Sequence, residues 1–443
     1  MAIDVWFPTS FSFSNTNTFS SYCARFRAMK EPIAPAPMTI ISLIVIITIH
    51  DSRVRDTPFC EICRIFFEIG IPIGKACYNR DMRFELDEKA KAHLEELFQM
   101  HEDNALASSL LNAYLEQDHT NDKKLLGGEL EIDPFALPKL FAKSISVLDV
   151  AESPYIREKF NLGHFDEIDE KVYENNPYYR LLRGVSLSHK GVHLGKRVYA
   201  PFEGFLYDEI HAEKENLFQE ISPFGYFPNG FEAPAIEKNG RIWMSLIPHE
   251  IHTMAKPIQE ASGKVLTFGL GLGYYAFMCS QKEDVSSVTI VEKDPSIIQV
   301  FEKALLPLFP HKEKIHIVKQ DAFDFVQEAD LSSYDYRFVD LYYDEQDGLP
   351  IYLKFLKEEK AKGIRFSYWI EGSILVYLRR FLFSLMEEET EGVKDEDYSH
   401  EDFIESLFYD LHFHLKNRVL KTEEDIDELL SPESLKAIAK AIA

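Results

Sequence analysis

The sequence is short of cysteine, of membrane-length apolar runs and of concentrated positive charge. Of 443 residues only 5 are cysteine, and four of those (Cys23, Cys60, Cys63 and Cys77) fall within the first 81. An odd and lopsided set does not make a disulfide framework, so the main body reads as cytoplasmic. The apolar stretch Met38–Ile49 spans 12 residues. As a helix it rises only ~18 Å, too short for a bilayer core of ~30 Å, and no membrane association is expected. It matches a signal-peptide core in length, with Arg25, Arg27 and Lys30 upstream, but it starts late and no small-residue cleavage site follows. Its Ile and Val content also suits a buried strand. Positive charge is outweighed, with 48 Lys and Arg against 73 Asp and Glu, a net of −25. Residues 1–81 carry 8 against 7, so the remainder carries 40 against 66. A surface that acidic repels phosphate backbones, which disfavours a nucleic-acid partner.

What is present describes a globular chain of at least two domains, at roughly 150 residues each. Residues 1–81 differ in texture from the rest. They are rich in Ser, Thr, Asn and Phe, then in proline (Glu31–Met38), and carry a lone CxxC at Cys60 and Cys63. With His50 and Cys77 that spacing is irregular for zinc, and no metal site is expected. Charge, cysteine content and periodicity all change at Met82. The expected division is an atypical extension over 1–81, a helical lead-in plus small β region over 82–255, a ligand-binding α/β domain over 256–388, and an acidic linker with C-terminal helices over 389–443. We read 1–81 as lying upstream of the native start. Abundant peptides from that segment in protein isolated from its host would refute a start at Met82.

In the lead-in, Leu86, Ala90, Leu94, Leu97 and Phe98 mark one helix face, and Leu106, Leu110, Leu111, Tyr114 and Leu115 a second helix. From Arg197 to Leu246 the texture turns to strands, with Asn239-Gly240 as a hairpin signal, a small region expected to cover the substrate side of the domain that follows. His249-Glu-Ile-His252 resembles a metalloprotease motif, but its histidines do not stand four apart on one helix face. It reads as a surface or capping cluster, as do His412 and His414.

The informative block opens with Lys264–Phe268, an apolar run that stops in Gly269, Gly271 and Gly273 before a helix-compatible stretch. Glycines let a ligand approach the backbone, and a helix N-terminus favours a negative group. Val288–Glu292 is a second β-rich run, ending in an acid 19 residues after Gly273. Such an acid is placed to hold ribose hydroxyls. A third run, Ile315–Val318, leads to Asp321 and Ala322, where a carboxylate can accept from an adenine amino group and Phe323 can flank the ring. The fourth, Tyr336–Asp340, ends in acids and aromatics: Asp340, Tyr342, Tyr343 and Asp344. Each acid alone reads equally well as a cap or a solvated strand end. Together they fall where open α/β sheets bind ligands, at the carboxyl ends of strands. Ile364–Ile370 is expected as a fifth strand and Gly372–Met386 as a helix. Any closing strands would have to lie in Asp410–Val419, where Leu-His-Phe-His-Leu alternates.

From Val265 to Trp369 this block resembles the class I SAM-dependent (S-adenosylmethionine-dependent) methyltransferases. GxGxG is their spacing, whereas dinucleotide enzymes use GxGxxG, and Tyr274 stands at the place of that last glycine. The resemblance implies a Rossmann-like doubly wound sheet, SAM as cofactor, Gly269, Gly271 and Gly273 against it, Glu292 on the ribose, and Asp321 with Ala322 at the adenine. Within the superfamily the texture is similar to spermidine synthases, in the VEKDP and QDA segments and a strand ending in VD. Those enzymes carry an Asp inside the glycine loop, where this chain has Leu272. Their paired acids after the fourth strand are three apart, whereas Asp340 and Asp344 are four apart.

Methyl transfer to a small-molecule or protein acceptor is therefore the first expectation and aminopropyl transfer the second. A non-catalytic SAM-binding interaction protein is the third, and the glycine spacing disfavours a nicotinamide oxidoreductase. The chemistry asks mainly for alignment of an acceptor behind an already electrophilic methyl group. Asp340 is the candidate to bind the acceptor or act as its base, with Tyr342, Tyr343 and Asp344 as pocket walls. The sequence assigns neither the acceptor nor an oligomeric state.

Overall fold

The computed structural model describes residues 82–115, 119, 165–238, 240–391 and 402–443. The readings of 1–81, including the CxxC and the start at Met82, concern residues outside these.

The chain enters through a short strand, β1 (Arg83–Phe84), and a long helix, α1 (Glu88–Leu115). Asp87 opens α1 by accepting the Ala90 N–H at 2.8 Å. The two expected helices are one, because no glycine or proline interrupts the segment between them. Next comes a β-rich region: β2 (Phe165–Glu167), α2 (Glu170–Glu174), α3 (Pro177–Leu182), β3 (Ser188–His189), β4 (Val192–Tyr199), β5 (Gly204–Leu206), β6 (Phe224–Tyr226), β7 (Phe231–Lys238) and β8 (Arg241–Ser245). These strands form a three-stranded sheet, β2-β6-β5, and a four-stranded one, β3-β4-β7-β8. The β7–β8 hairpin falls where the Asn-Gly signal put it, with Lys238 opposite Arg241 and Gly240 at φ +80°. Tyr173, Tyr199, Phe205, Phe224, Phe227 and Phe231 pack into a separate aromatic core beneath.

Two short helices, α4 (Pro248–Thr253) and α5 (Ala255–Glu260), lead into the main sheet. There β9 (Gly263–Phe268) is followed by α6 (Tyr274–Ser280), β10 (Val285–Glu292), α7 (Pro295–Val300), β11 (Ile315–Lys319), α8 (Ala322–Glu328), β12 (Tyr336–Val339), α9 (Glu345–Lys362), β13 (Ser367–Tyr368) and α10 (Glu371–Glu391). The strand order is β11-β10-β9-β12-β13, and every pairing is parallel. Val265, Leu266, Phe268, Val288, Ile290, Phe338 and Val339 are all buried. Near-continuous apolar strands of this kind are what a sheet covered by helices requires. The architecture is α/β, with a Rossmann-like sheet whose order reverses between β9 and β12. That reversal opens the crevice in which such sheets bind ligands.

The C-terminal part is helical: α11 (Phe403–Leu415), a two-residue β14 (Val419–Leu420), α12 (Glu423–Leu430) and α13 (Pro432–Ile442). The alternating Leu411–Leu415 stretch is helix rather than strand, with both leucines buried one turn apart. The main sheet has five strands among the described residues. β14 pairs in parallel with β1, and α12 packs on α1, so the two ends of the described chain meet. The expected acidic loop is partly structure: residues 387–391 finish α10, and Asp402 caps α11 by accepting the Ile404 N–H at 2.7 Å. No described helix is long and apolar enough to cross a membrane.

Candidate functional site

The ends of β9, β10, β11 and β12 converge on one cavity of about 300 Å³. That is at the lower end of the ~300–1,000 Å³ usual for small-molecule sites. Gly269, Gly271, Glu292, Asp321, Ala322, Asp340, Tyr342 and Tyr343 all line it. Gly273 and Asp344 are not part of its wall.

Close approach explains the first two glycines. Gly269 has φ +100°, and a Cβ there would collide with the carbonyl oxygen of Asp340 on the neighbouring strand. A Cβ on Gly271 would strike the Met244 sulphur. Loop and β12 are thus stitched face to face at the switch point, and the Asp340 N–H donates to the Phe268 carbonyl at 3.0 Å.

The Glu292 carboxylate ties the loop to the second strand. One oxygen accepts the Leu270 N–H at 3.2 Å and the other the Asp294 N–H at 2.7 Å. An ionised carboxylate has about four acceptor positions, so capacity remains toward the cavity. Asp321 caps α8, accepting the Phe323 N–H at 2.9 Å, and lies 3.9 Å from the Lys293 ammonium. Asp340 faces the cavity from the end of β12. Burial, reinforced by the charge of Glu292, pushes its carboxyl up to about 7. Tyr342 gives its hydroxyl to the Trp369 carbonyl and leaves its ring as wall. Tyr343 meets Trp243 edge to face at 5.2 Å.

Asp344 faces a different task. Its carboxylate caps α9, accepting the Asp347 N–H at 2.8 Å. Burial and the neighbouring Glu345 raise it to about 7. The glycine-loop amides are also more occupied than the expected cradle for a carboxylate would require. Those of Gly269 and Gly273 donate to Val291 and Leu270, that of Leu270 to Glu292, and that of Leu272 to the Met244 sulphur at 3.1 Å. In addition, α6 has only seven residues.

The roof comes largely from the β region expected to cover the substrate side, but none of its residues was expected at the site. Trp243, Met244, Ser245 and Ile247 from β8 and its exit, Glu250 from α4, and Trp369 after β13 also line the cavity. Glu250 is 8% exposed, and its Oε2 makes no hydrogen bond. The surface reading of His249–His252 is therefore corrected for Glu250. His249 is half-buried, its buried Nδ1 makes no hydrogen bond, and burial lowers it to about 4. His252 is exposed and bonded through Nε2 to the Tyr173 hydroxyl at 3.0 Å. The signal for burial was the apolar pair Ile247 and Ile251 flanking the cluster. Among the described residues no group of three His, Cys, Asp or Glu side chains is placed to hold a metal ion.

A larger cleft, about 860 Å³, opens between α3, β4 and β7. None of the strand-end acids lines it, and of its charged side chains Lys196 and Glu232 are paired with each other. The chemistry collects in the smaller cavity.

No family model and no curated protein matches the chain. Among solved structures, it is similar to MnmC2 from Aquifex aeolicus, at 16% identity and a TM-score of 0.26, over 65% of this chain and 94% of that one. The fold assignment rests on the strand order itself.

Proposed function

We propose that this protein is a SAM-dependent transferase that moves a methyl group to a small-molecule or protein acceptor. One observation carries the reading: acids from three successive strand ends, Glu292, Asp321 and Asp340, surround one cavity at the switch point of a 3-2-1-4-5 parallel sheet. The lining fits the group. Glu292 has acceptor capacity for ribose hydroxyls, Asp321 with Ala322 and Phe323 offers an acceptor and a flat apolar side for adenine, and Gly269 and Gly271 present bare backbone to the cavity. When bound, SAM supplies an electrophilic methyl group on a sulphonium. The chain's own work is to align the acceptor, exclude water with Trp243, Tyr342, Tyr343 and Trp369, and take a proton at the Asp340 carboxylate.

Aminopropyl transfer from decarboxylated SAM is a second reading. The engaged loop amides favour it, since that cofactor brings no carboxylate to be cradled.

Two of the three tryptophans, Trp243 and Trp369, line the cavity. Titration with S-adenosylhomocysteine should change their fluorescence saturably, and Trp243→Phe or Trp369→Phe should each diminish the signal. An unresponsive spectrum would count against the site.

A further inference from the structure

β4 runs from Val192 to Tyr199, yet its outer neighbour β3 pairs only with Val192 and His193. The last bond on that side is the Leu194 N–H, which donates to the Leu187 carbonyl at 2.8 Å. Every second residue of a strand turns its backbone polar groups to the same edge. The β4–β7 register runs without a break, so Lys196 and Val198 face outward as Leu194 does. Among the described residues nothing takes the Lys196 N–H and carbonyl or the Val198 N–H. The Val198 carbonyl accepts from the Arg197 guanidinium.

The chain ahead of β3 does not fill this edge. It parts from β4 through Ser186, Val185 and Gly184, the last at φ +81°, and joins α3 at Arg183. The wedge so opened belongs to the cleft of about 860 Å³, to which Arg183, Val185 and Ser186 contribute from one segment and Gly195, Lys196 and Val198 from the other. Open edges are commonly guarded by a charged side chain. Lys196 does not guard this one, because its ammonium is paired across the sheet with Glu232 of β7. Val198 leaves a large apolar side chain 54% exposed beside the unpaired backbone. The Arg183 guanidinium has neither a hydrogen bond nor an ion pair. Unpaired strand edge, bare apolar side chain and free cation therefore meet in one slot.

We propose that this slot binds an extended segment of a partner protein that carries an acidic side chain. The segment joins the sheet as an added strand, pairing with the backbone of Lys196 and Val198. It covers the Val198 side chain and presents its carboxylate to the Arg183 guanidinium, whose parallel N–H donors match it. A small anion would satisfy Arg183 but leave the edge and Val198 bare, and a basic segment would be repelled. Leu272 of the glycine loop lines the same cleft, and its neighbour Gly271 lines the strand-end cavity, so a docked protein is held beside that cavity. The docking site rests on no part of the transferase reading.

The test uses the full chain and the fluorescence anisotropy of labelled peptides. Thr-Val-Glu-Val-Thr should bind saturably and about tenfold or more tightly than Thr-Val-Lys-Val-Thr. Arg183→Gln should bring the two peptides level, and Arg183→Lys should restore part of the difference. Val198→Pro removes one outward N–H, a change that edge strands accept, and should weaken the acidic peptide about tenfold. If that variant does not fold, N-methylation of alternate peptide amides must abolish binding in one register and spare it in the other, as an edge-paired strand requires. No binding, equal binding of the two peptides by the wild type, or affinity indifferent both to Arg183→Gln and to the loss of these amides overturns the proposal. Light scattering that shows the chain self-associating, with Val198→Pro reversing it, would give the edge to a second copy and overturn the partner reading.

Discussion

Asp344→Asn separates a structural acid from the functional ones around it. The side chain is 8% exposed and caps α9, and its carboxyl is raised from 3.8 to about 7. A carboxyl raised on folding holds its proton more tightly in the folded state. Its contribution is therefore fully present below the unfolded value and is lost as pH rises toward the folded one. With the two values 3.8 and about 7 and ~1.36 kcal/mol per unit, Asp344 alone should cost about 2–3 kcal/mol between pH 5 and pH 8. Asparagine caps a helix as well as aspartate does and does not ionise. Urea unfolding at pH 5, 6, 7 and 8 should show the wild type falling more steeply with pH than Asp344→Asn, the two curves separating by that amount. Parallel curves would refute the assignment of the raised carboxyl to Asp344. A lower stability of the variant at every pH would show that asparagine does not replace the cap.

Three further substitutions probe other parts of the molecule. Gly269→Ala meets both a positive φ and the Asp340 carbonyl, so it should cost roughly 2–4 kcal/mol and abolish adenosyl-ligand binding, read by thermal unfolding and calorimetry. Glu292→Gln should keep the fold, checked by circular dichroism, and weaken S-adenosylhomocysteine binding by about tenfold, because a neutral amide replaces a charged acceptor for the ribose. Glu220→Ala removes the carboxylate that accepts from the Arg380 guanidinium, at 2.8 Å and 3.1 Å through Nε, inside the packed interior. Breaking a buried ion pair from one side should cost about 3–5 kcal/mol in urea unfolding.

The sheet was legible because each strand is an apolar run that ends in its own punctuation. Glycines close β9, Glu292 ends β10, Asp321 follows β11 and Asp340 follows β12, and a buried parallel strand has little else to encode. The β7–β8 turn was legible for the same local reason. The misreadings came where one pattern suits two structures. Leu411–Leu415 alternates like a strand, yet its outer leucines also stand one helical turn apart, and α10 and α13 pack against that face. The single α1 reads as two helices because its apolar pattern lapses between Phe98 and Leu106, where the Asn104 side chain bonds the Phe218 carbonyl at 3.0 Å, a partner 114 residues away. The same distance in sequence hid which residues of the β region and α4 roof the cavity. Nothing near Glu250 announces that it shares a cavity with Asp340, and nothing near Gly271 announces the Met244 sulphur. The acids of the strand ends were visible as a set, but whether one caps a helix, as Asp344 does, or faces a cavity, as Asp340 does, depends on a turn of backbone that the residue types alone do not dictate.

The most direct measurement is a calorimetric titration of the full chain with SAM, S-adenosylhomocysteine, decarboxylated SAM and NAD in parallel. The expected result is saturable binding of the adenosyl ligands with a single site per chain, and none of NAD. SAM and S-adenosylhomocysteine in the lead would support methyl transfer, and decarboxylated SAM in the lead would support aminopropyl transfer. Binding of NAD alone, or of none of the four, would contradict the assignment of this cavity to an adenosyl cofactor.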